Sequence, residues 1–133
     1  MSETVKYLSQ AWCEEAGKRL RQELTPDKMN NLTSSMTNIY LNCPGGGTKY
    51  LFIKMVDGNF DAVQVGEGEP PQGEFTISGD YQVYSRISRA ELGSQLALME
   101  GKLKLKGNMV KALKLAKISD RINKVFATIP AEY

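Results

Sequence analysis

Histidine is absent from the 133-residue sequence, and cysteine occurs only twice, at Cys13 and Cys43. The lack of histidine removes the side chain that most often serves as a general base or a metal ligand. The two cysteines are too widely separated for a metal-binding pair, so we expect free, reduced thiols in an intracellular protein. No apolar run approaches the roughly 18 residues that cross a membrane, and the N-terminus lacks the basic-then-apolar pattern of a secretion signal.

Sequence motifs of catalysis are also missing. No acidic or cysteine residues recur at metal-ligand spacing, and no serine stands in a Gly-x-Ser-x-Gly elbow. A phosphate-binding loop would open onto a helix, whereas Gly45-Gly46-Gly47 precedes a predicted strand and therefore indicates a hairpin turn. The sequence thus predicts a non-enzymatic protein with no metal and no cofactor. One enzymatic alternative stays open, in which Asp80 or Glu100 acts as an acid in an apolar pocket.

Charge is distributed unevenly along the chain. Residues 1–99 carry nine Lys or Arg against twelve Asp or Glu, a net charge of −3, whereas residues 100–133 carry eight against three, a net of +5. The basic region favours lipid headgroups or a phosphate-bearing ligand over nucleic acid as its partner. A solvated lysine-rich face without any partner is the alternative. For an anionic membrane, the predicted contacts are Lys114, Lys117, Arg121 and Lys124.

Five segments have the alternating or apolar pattern of β-strands. Their predicted ranges are Met36–Cys43, Lys49–Val56, Phe60–Val65, Glu74–Ser78 and Lys102–Lys106. Two turns join the first three strands into hairpins, the glycine-rich run at 44–48 and Asp57-Gly58-Asn59, whose residues tolerate positive φ.

Helical periodicity covers most of the remaining sequence. An apolar stripe predicts a first helix over Thr4–Leu24, and Thr25-Pro26 begins a short second one that ends at Asn30-Asn31. Four further helices are predicted, one ending at Ile87, one over Arg89–Met99, one capped by Asn108 and a last one starting at Ser119. This order predicts a single α+β domain over 1–133, with a five-stranded, mostly antiparallel sheet covered on one face by helices.

The run Gly101-Lys102-Leu103-Lys104-Leu105-Lys106-Gly107-Asn108, a strand that turns directly into a helix, is similar to a signature of the sterol carrier protein family. The hairpin at Pro44–Lys49 and the turn at Val56–Phe60 match the same family in order and spacing, and the resemblance extends from Tyr7 to Phe126. It implies an apolar tunnel between the sheet and the helices, and a protein that binds and carries fatty acid, acyl-CoA, sterol or phospholipid. Peroxisomal members end in an Ala/Ser-Lys-Leu-type signal, whereas this chain ends Ala131-Glu132-Tyr133, so we expect a cytoplasmic protein.

The rows of apolar side chains that face the helices are the predicted ligand contacts. They are Met36, Leu51, Ile53, Met55, Val63, Val65, Phe75, Ile77, Leu103, Leu105, Met109, Leu113, Ile122 and Phe126. Periodicity alone fits a filled core equally well, and the resemblance is what favours a tunnel. The short last helix is the predicted movable lid.

The first strand predicts an unusual outer face. Aligned through the hairpin turn, Met36, Asn38 and Tyr40 point inward, and Asn38 then needs a hydrogen-bond partner such as water or a ligand headgroup. Ile39 and Leu41 point outward with Phe52 and form an exposed apolar patch. The patch predicts a homodimer. It also sustains a second interpretation of function, an accessory or regulatory dimerisation module that docks a lipid-metabolising enzyme.

Overall fold

The computed structural model describes residues 4–133 and contains a five-stranded sheet, a two-stranded sheet and four helices. The strands are β1 (Val5–Lys6), β2 (Ser34–Leu41), β3 (Lys49–Val56), β4 (Asn59–Glu67), β5 (Phe75–Asp80), β6 (Leu103–Lys106) and β7 (Ala131–Glu132). The helices are α1 (Gln10–Glu23), α2 (Tyr81–Ser88), α3 (Ser94–Met99) and α4 (Met109–Phe126).

The main sheet has the strand order β4-β3-β2-β5-β6. Only β2 and β5 pair in parallel, and the other neighbours are antiparallel. Asp57 (φ 50°) and Gly58 (φ 81°) form the turn between β3 and β4. A Cβ on Gly58 would lie 2.7 Å from the Pro26 Cα, so only glycine fits beside that turn. The predicted α+β class, the mostly antiparallel sheet and both hairpins are confirmed.

Strand register places the predicted apolar rows on one face of the sheet. Ile53 lies opposite both Met36 and Val63, while Leu51 lies opposite Asn38 and Val65. Met36, Leu51 and Ile53 are buried beneath the helices. Strict alternation along each strand produces this arrangement, because residues two apart share a face.

The N-terminal segment differs from the prediction. A helix from Thr4 is wrong, since Val5 and Lys6 pair in parallel with Ala131 and Glu132, and α1 begins only at Gln10. Leu8 has a φ of 65°, which a helix excludes, and the Ser9 hydroxyl then accepts from Trp12 N at 3.2 Å as the N-cap.

Two further helix boundaries are corrected. The segment after Pro26 forms hydrogen-bonded turns, not a helix, and it ends at Asn30 and Asn31, whose φ angles are 53° and 49°. The helix predicted over Arg89–Met99 is confined to α3, because Ala90 takes a φ of 60° that interrupts any helix begun at Arg89.

A single 18-residue helix, α4, replaces the two predicted C-terminal helices. Asn108 is its N-cap as predicted, with Oδ1 accepting from Lys111 N at 3.0 Å. Ser119 starts no new helix; its hydroxyl lies 3.6 Å from the Met36 sulfur, inside the fold. Beyond the end of α4, β7 is tied to β1, so a separate short terminal lid is wrong.

The outer face of the sheet is partly covered by the loop at 68–74. Thr37 Oγ1 donates to the Pro71 carbonyl at 2.7 Å, and Glu74 N donates to Ser35 Oγ at 2.8 Å. Phe52 lies beside Thr37 on this face and is only 7% exposed, so its predicted exposure is wrong. Leu41 is 41% exposed, as predicted.

Candidate ligand-binding cavity

An apolar cavity of about 50 Å³ lies between the sheet and the helices. Its walls come from β2, β3, β5 and β6 on one side and from α2, α3 and α4 on the other. Eight of the predicted contacts line it: Met36, Leu51, Ile53, Phe75, Ile77, Leu103, Ile122 and Phe126. Pockets that hold drug-sized molecules measure roughly 300–1,000 Å³, so a lipid can enter only if the walls move apart.

Six predicted contacts lie away from this cavity. They are Met55, Val63, Val65, Leu105, Leu113 and Met109. The first five pack within or against the core, but Met109 is 48% exposed, and its predicted inward orientation is wrong. Periodicity placed Met109 on the stripe of α4, yet Met109 is the first residue of that helix and remains half-exposed there.

Helix α1 covers the row on β4 and separates it from the cavity. Cys13 Sγ donates to the Val63 carbonyl at 3.2 Å, and a Cβ built on Gly17 would lie 3.8 Å from the Val63 Cβ. Helix α1 therefore packs directly on this strand. Sequence periodicity could not reveal which inward row each helix covers, because that depends on how the helices pack.

Small side chains on α4 leave the space that forms the cavity. Ala112 and Ala116 are buried and line it, and Leu98 of α3 lines it as well. None of the three was predicted as a contact. A leucine or phenylalanine at either alanine would occupy the gap between helix and sheet.

Polar groups gather where α2 crosses β2. The Tyr84 hydroxyl lies 3.1 Å from the Ile77 carbonyl and 3.3 Å from Asn38 Oδ1, and it donates to this pair of acceptors. Asn38 Nδ2 in turn donates to the Leu51 carbonyl at 3.3 Å. The predicted inward position of Asn38 is confirmed. Its partner within the chain is Tyr84, which no sequence pattern singles out.

A row of three hydroxyls adjoins this group. Tyr7 donates to the Tyr40 hydroxyl at 3.3 Å and also hydrogen-bonds to Ser88. Burial raises the pKa of Tyr7, Tyr40 and Tyr84 well above the usual range of a phenol. All three hydroxyls consequently remain protonated at neutral pH. Tyr40, Tyr84 and Ser88 line the cavity, whereas Tyr7 lies behind it.

The acids of the enzymatic alternative lie outside the cavity. Asp80 accepts from Gln82 N at 3.4 Å as the N-cap of α2, and it also accepts from Asn42 Nδ2 at 3.3 Å. Glu100 is exposed and pairs with Lys102 at 3.0 Å. Within residues 4–133, no group of three His, Cys, Asp or Glu side chains could hold a metal ion.

The four predicted membrane contacts are all exposed on α4. Their spacing of three, four and three residues puts them on one side of the helix. Arg121 also donates to the Lys28 carbonyl. No helix in the part of the chain that the structure describes is long and apolar enough to cross a membrane.

Comparison with known proteins identifies the family. The model of the SCP-2 sterol transfer family matches residues 14–120, most of the chain. Hydroxysteroid dehydrogenase-like protein 2 of Bos taurus is 31% identical over 106 residues, 79% of this chain and 24% of that protein. The chain therefore belongs to the SCP-2 sterol transfer family, and it spans about a quarter of the length of the curated relatives it matches.

Solved structures have the same fold at low sequence identity. The crystal structure of sterol carrier protein 2 superposes with a TM-score of 0.78 at 18% identity, covering 93% of this chain and 99% of that one. The solution structure of a conserved hypothetical protein from Thermus thermophilus gives 0.78 at 18% identity, covering 98% and 94%. The predicted sterol carrier protein-like fold is thereby confirmed.

Proposed function

We propose that this protein binds a hydrophobic ligand, such as a fatty acid, acyl-CoA, sterol or phospholipid, and carries it within the cell without altering it chemically. The observation that carries the proposal is the apolar cavity between the sheet and the helices, in a chain of a sterol transfer family. The positions of Asp80 and Glu100 outside this cavity argue against catalysis there.

Apolar burial supplies enough free energy for such binding. Each buried methylene contributes about 0.8 kcal/mol, so roughly ten methylenes give about 8 kcal/mol, which corresponds to micromolar affinity. Separating the cavity walls costs part of this gain, and a longer chain or a ring system offsets that cost. Few specific polar contacts are then needed.

Helix α3 is the wall most suited to open. It has six residues, its N-cap is Gly93 and therefore offers no side-chain cap, and Gly101 follows its end. Ser94 and Leu98 face the cavity, whereas Leu96 and Met99 are exposed. A six-residue helix opens at lower free-energy cost than the 18-residue α4, because fewer residues leave their contacts.

The basic side of α4 would bring the protein to anionic membranes, where ligand is collected or released. Lys114, Lys117, Arg121 and Lys124 are exposed together, and each basic residue near an anionic surface contributes on the order of 1 kcal/mol. Such attraction is reversible and salt-dependent, as transfer between membranes requires.

A second candidate is an accessory module that presents ligand to an enzyme. In the Bos taurus dehydrogenase-like relative the matching region makes up 24% of the protein, so related sequences occur as parts of larger chains. Ile39 and Leu41 on the outer sheet face would form the docking or homodimer surface, without the buried Phe52.

Identification of co-purified lipid tests the proposal. Native mass spectrometry of freshly purified protein should detect a bound mass, and solvent extraction should yield one class of lipid. A fluorescent lipid added to delipidated protein should bind at micromolar concentration. If no lipid co-purifies and no fluorescent lipid binds, the protein is not a carrier, and the accessory module becomes the better account.

A further inference from the structure

The polar part of the cavity wall has hydrogen-bond donors left over. Three hydroxyls, those of Ser88, Tyr7 and Tyr40, form a row with two hydrogen bonds. Tyr7 is enclosed behind the cavity, so its own proton must be used within the row. Because Tyr7 donates to Tyr40, Ser88 donates to Tyr7, and the third proton remains at the end of the row, on Tyr40. Both ends line the cavity.

Asn38 contributes a second free donor. Its side-chain amide has two N–H groups, and one of them donates to the Leu51 carbonyl at 3.3 Å. The other finds no acceptor among residues 4–133. Asn38 and Tyr40 are neighbours on the inner face of β2, and Tyr84 joins them, with its hydroxyl on Asn38 and its ring centroid 4.1 Å from that of Tyr40.

Charge is absent from the cavity wall. None of the lining side chains, all from the described residues, is a lysine, arginine, aspartate or glutamate. An ionised head group inside the cavity would lose its hydration and gain hydrogen bonds only from neutral donors. These hydrogen bonds do not offset the free-energy cost of burying a full charge. A neutral oxygen loses far less on leaving water, and it satisfies buried donors that otherwise stay unpaired.

We propose that the cavity selects an uncharged lipid whose buried end carries a carbonyl or hydroxyl oxygen. Asn38 and Tyr40, which is the free end of the hydroxyl row, donate to this oxygen, and the ionised carboxylate of a free fatty acid binds more weakly. This inference rests on the proposed function, because it names the ligand class of the same cavity.

The inference is tested by displacement of a bound neutral fluorescent lipid. The four competitors are hexadecane, cetyl alcohol, methyl palmitate and palmitate. At neutral pH, methyl palmitate and cetyl alcohol should bind about tenfold more tightly than palmitate. Palmitate affinity should rise as pH falls toward the ordinary carboxyl pKa of about 4, while methyl palmitate affinity stays constant over the same range. The ester thus controls for any effect of acid on the protein itself.

Deletion of the hydroxyls at both ends of the row tests the donors. Tyr40→Phe and Ser88→Ala together should lower methyl palmitate affinity about five- to tenfold and leave hexadecane affinity unchanged. Tyr50→Phe removes a hydroxyl from the opposite face of the sheet and should change neither affinity. If the double variant does not fold, the comparison of the four compounds on the unaltered protein still tests the selection for uncharged lipids.

The outcomes separate this inference from the proposed function. Equal affinity for ionised palmitate and methyl palmitate would overturn the selection for uncharged lipids while leaving a lipid carrier intact. Equal loss of hexadecane and ester affinity in the folded variant would overturn the role of the donors. Failure of all four compounds and of the fluorescent lipid to bind would instead reject the carrier function.

Discussion

Asp120 of α4 holds the first residue of α3, with its Oδ1 accepting from Ser94 N at 3.0 Å. The carboxylate supplies the cap that Gly93, the N-cap residue, has no side chain to provide. Ser94 Oγ also accepts from Asn123 Nδ2 at 3.2 Å, so two residues of α4 hold this end of α3. Because α3 forms one wall of the cavity, this contact is where opening should begin.

Asp120→Ala should loosen α3 and quicken ligand exchange. Loss of a capping carboxylate costs about 0.5–2 kcal/mol, and here the cost falls on the helix that must move. We expect release of a fluorescent lipid to accelerate several-fold, with faster amide hydrogen exchange confined to residues 94–99. Asp61→Ala removes an exposed acid from β4 and serves as the control. Unchanged release from Asp120→Ala would show that the ligand leaves through another wall.

Ala116→Leu should block ligand binding by filling the cavity. Ala116 is buried and lines the gap between α4 and the sheet, and a leucine there competes with any ligand for the same space. Thermal denaturation should change little in the ligand-free protein, because a partly empty space accepts the added carbons. Affinity for a fluorescent lipid should fall at least tenfold.

Ala11→Leu is the matched control for this substitution, since Ala11 is an exposed position of α1. It should leave affinity unchanged. Normal affinity in a folded Ala116→Leu protein would place the ligand elsewhere than in this cavity.

Lipid transfer to vesicles should depend on charge through α4. We expect transfer to quicken with anionic lipid content and to slow with salt, because screening weakens attraction over about 10 Å at moderate ionic strength. Replacing Lys114, Lys117, Arg121 and Lys124 by glutamine should reduce transfer to anionic vesicles roughly tenfold to a hundredfold, with equilibrium ligand affinity nearly unchanged.

Neutralising four lysines elsewhere on the surface shows whether transfer depends on the location of the charges or on the net charge. Glutamine at Lys6, Lys18, Lys49 and Lys54 removes the same number of charges from other parts of the surface. This protein should keep most of its dependence on anionic lipid. Equal loss in both proteins would attribute the effect to overall charge, and indifference of the unaltered protein to salt would leave the basic side of α4 as solvated surface.

Light scattering should give about twice 14.8 kDa if Ile39 and Leu41 form a homodimer surface. Leu41→Lys should then give the monomer, because a charge at a half-exposed apolar contact is costly to bury. Gln22→Lys, at an exposed position on α1 on the other side of the sheet, should leave the dimer intact. A monomer at high concentration of the unaltered protein would mean that the loop at 68–74 is sufficient cover for this face.

Alkaline pH should unfold the protein through its enclosed tyrosines. Burial raises the pKa of Tyr7, Tyr40 and Tyr84 above the unfolded value of about 10, so their contribution to stability is complete below that pH and is lost above it. Three such groups remove roughly 4 kcal/mol per pH unit while they stay protonated in the fold. Tyrosinate absorbance and loss of circular dichroism should therefore rise together. Ionisation of these tyrosines near pH 10 with the fold intact would contradict their burial.

Local pattern was enough to predict most strands and the cap of α4. Lys49–Val56 was predicted residue for residue, since alternation and two strong turns bound it on both sides. Asn108 was predicted as an N-cap because its short polar side chain lies where the alternating pattern of a strand changes to the periodicity of a helix. The error at Thr4 arose because a helical stripe continued into residues that pair with β7. The error at Ser119 was the opposite one, because a helix start was predicted at a polar residue that lies inside α4 with its hydroxyl near the Met36 sulfur.

The strands, the hairpins and the apolar inner face could be predicted without a structure, because alternation and turn chemistry act between residues close together in the chain. Which inward side chains border the cavity, how narrow it is, and which donors stay free depend instead on tertiary packing. Tyr7 and Ser88 are 81 residues apart, and no local pattern joins their hydroxyls. Their contact depends on the packing of α2 against the sheet and of the N-terminal segment behind it, so the polar character of the cavity is set by packing between distant parts of the chain.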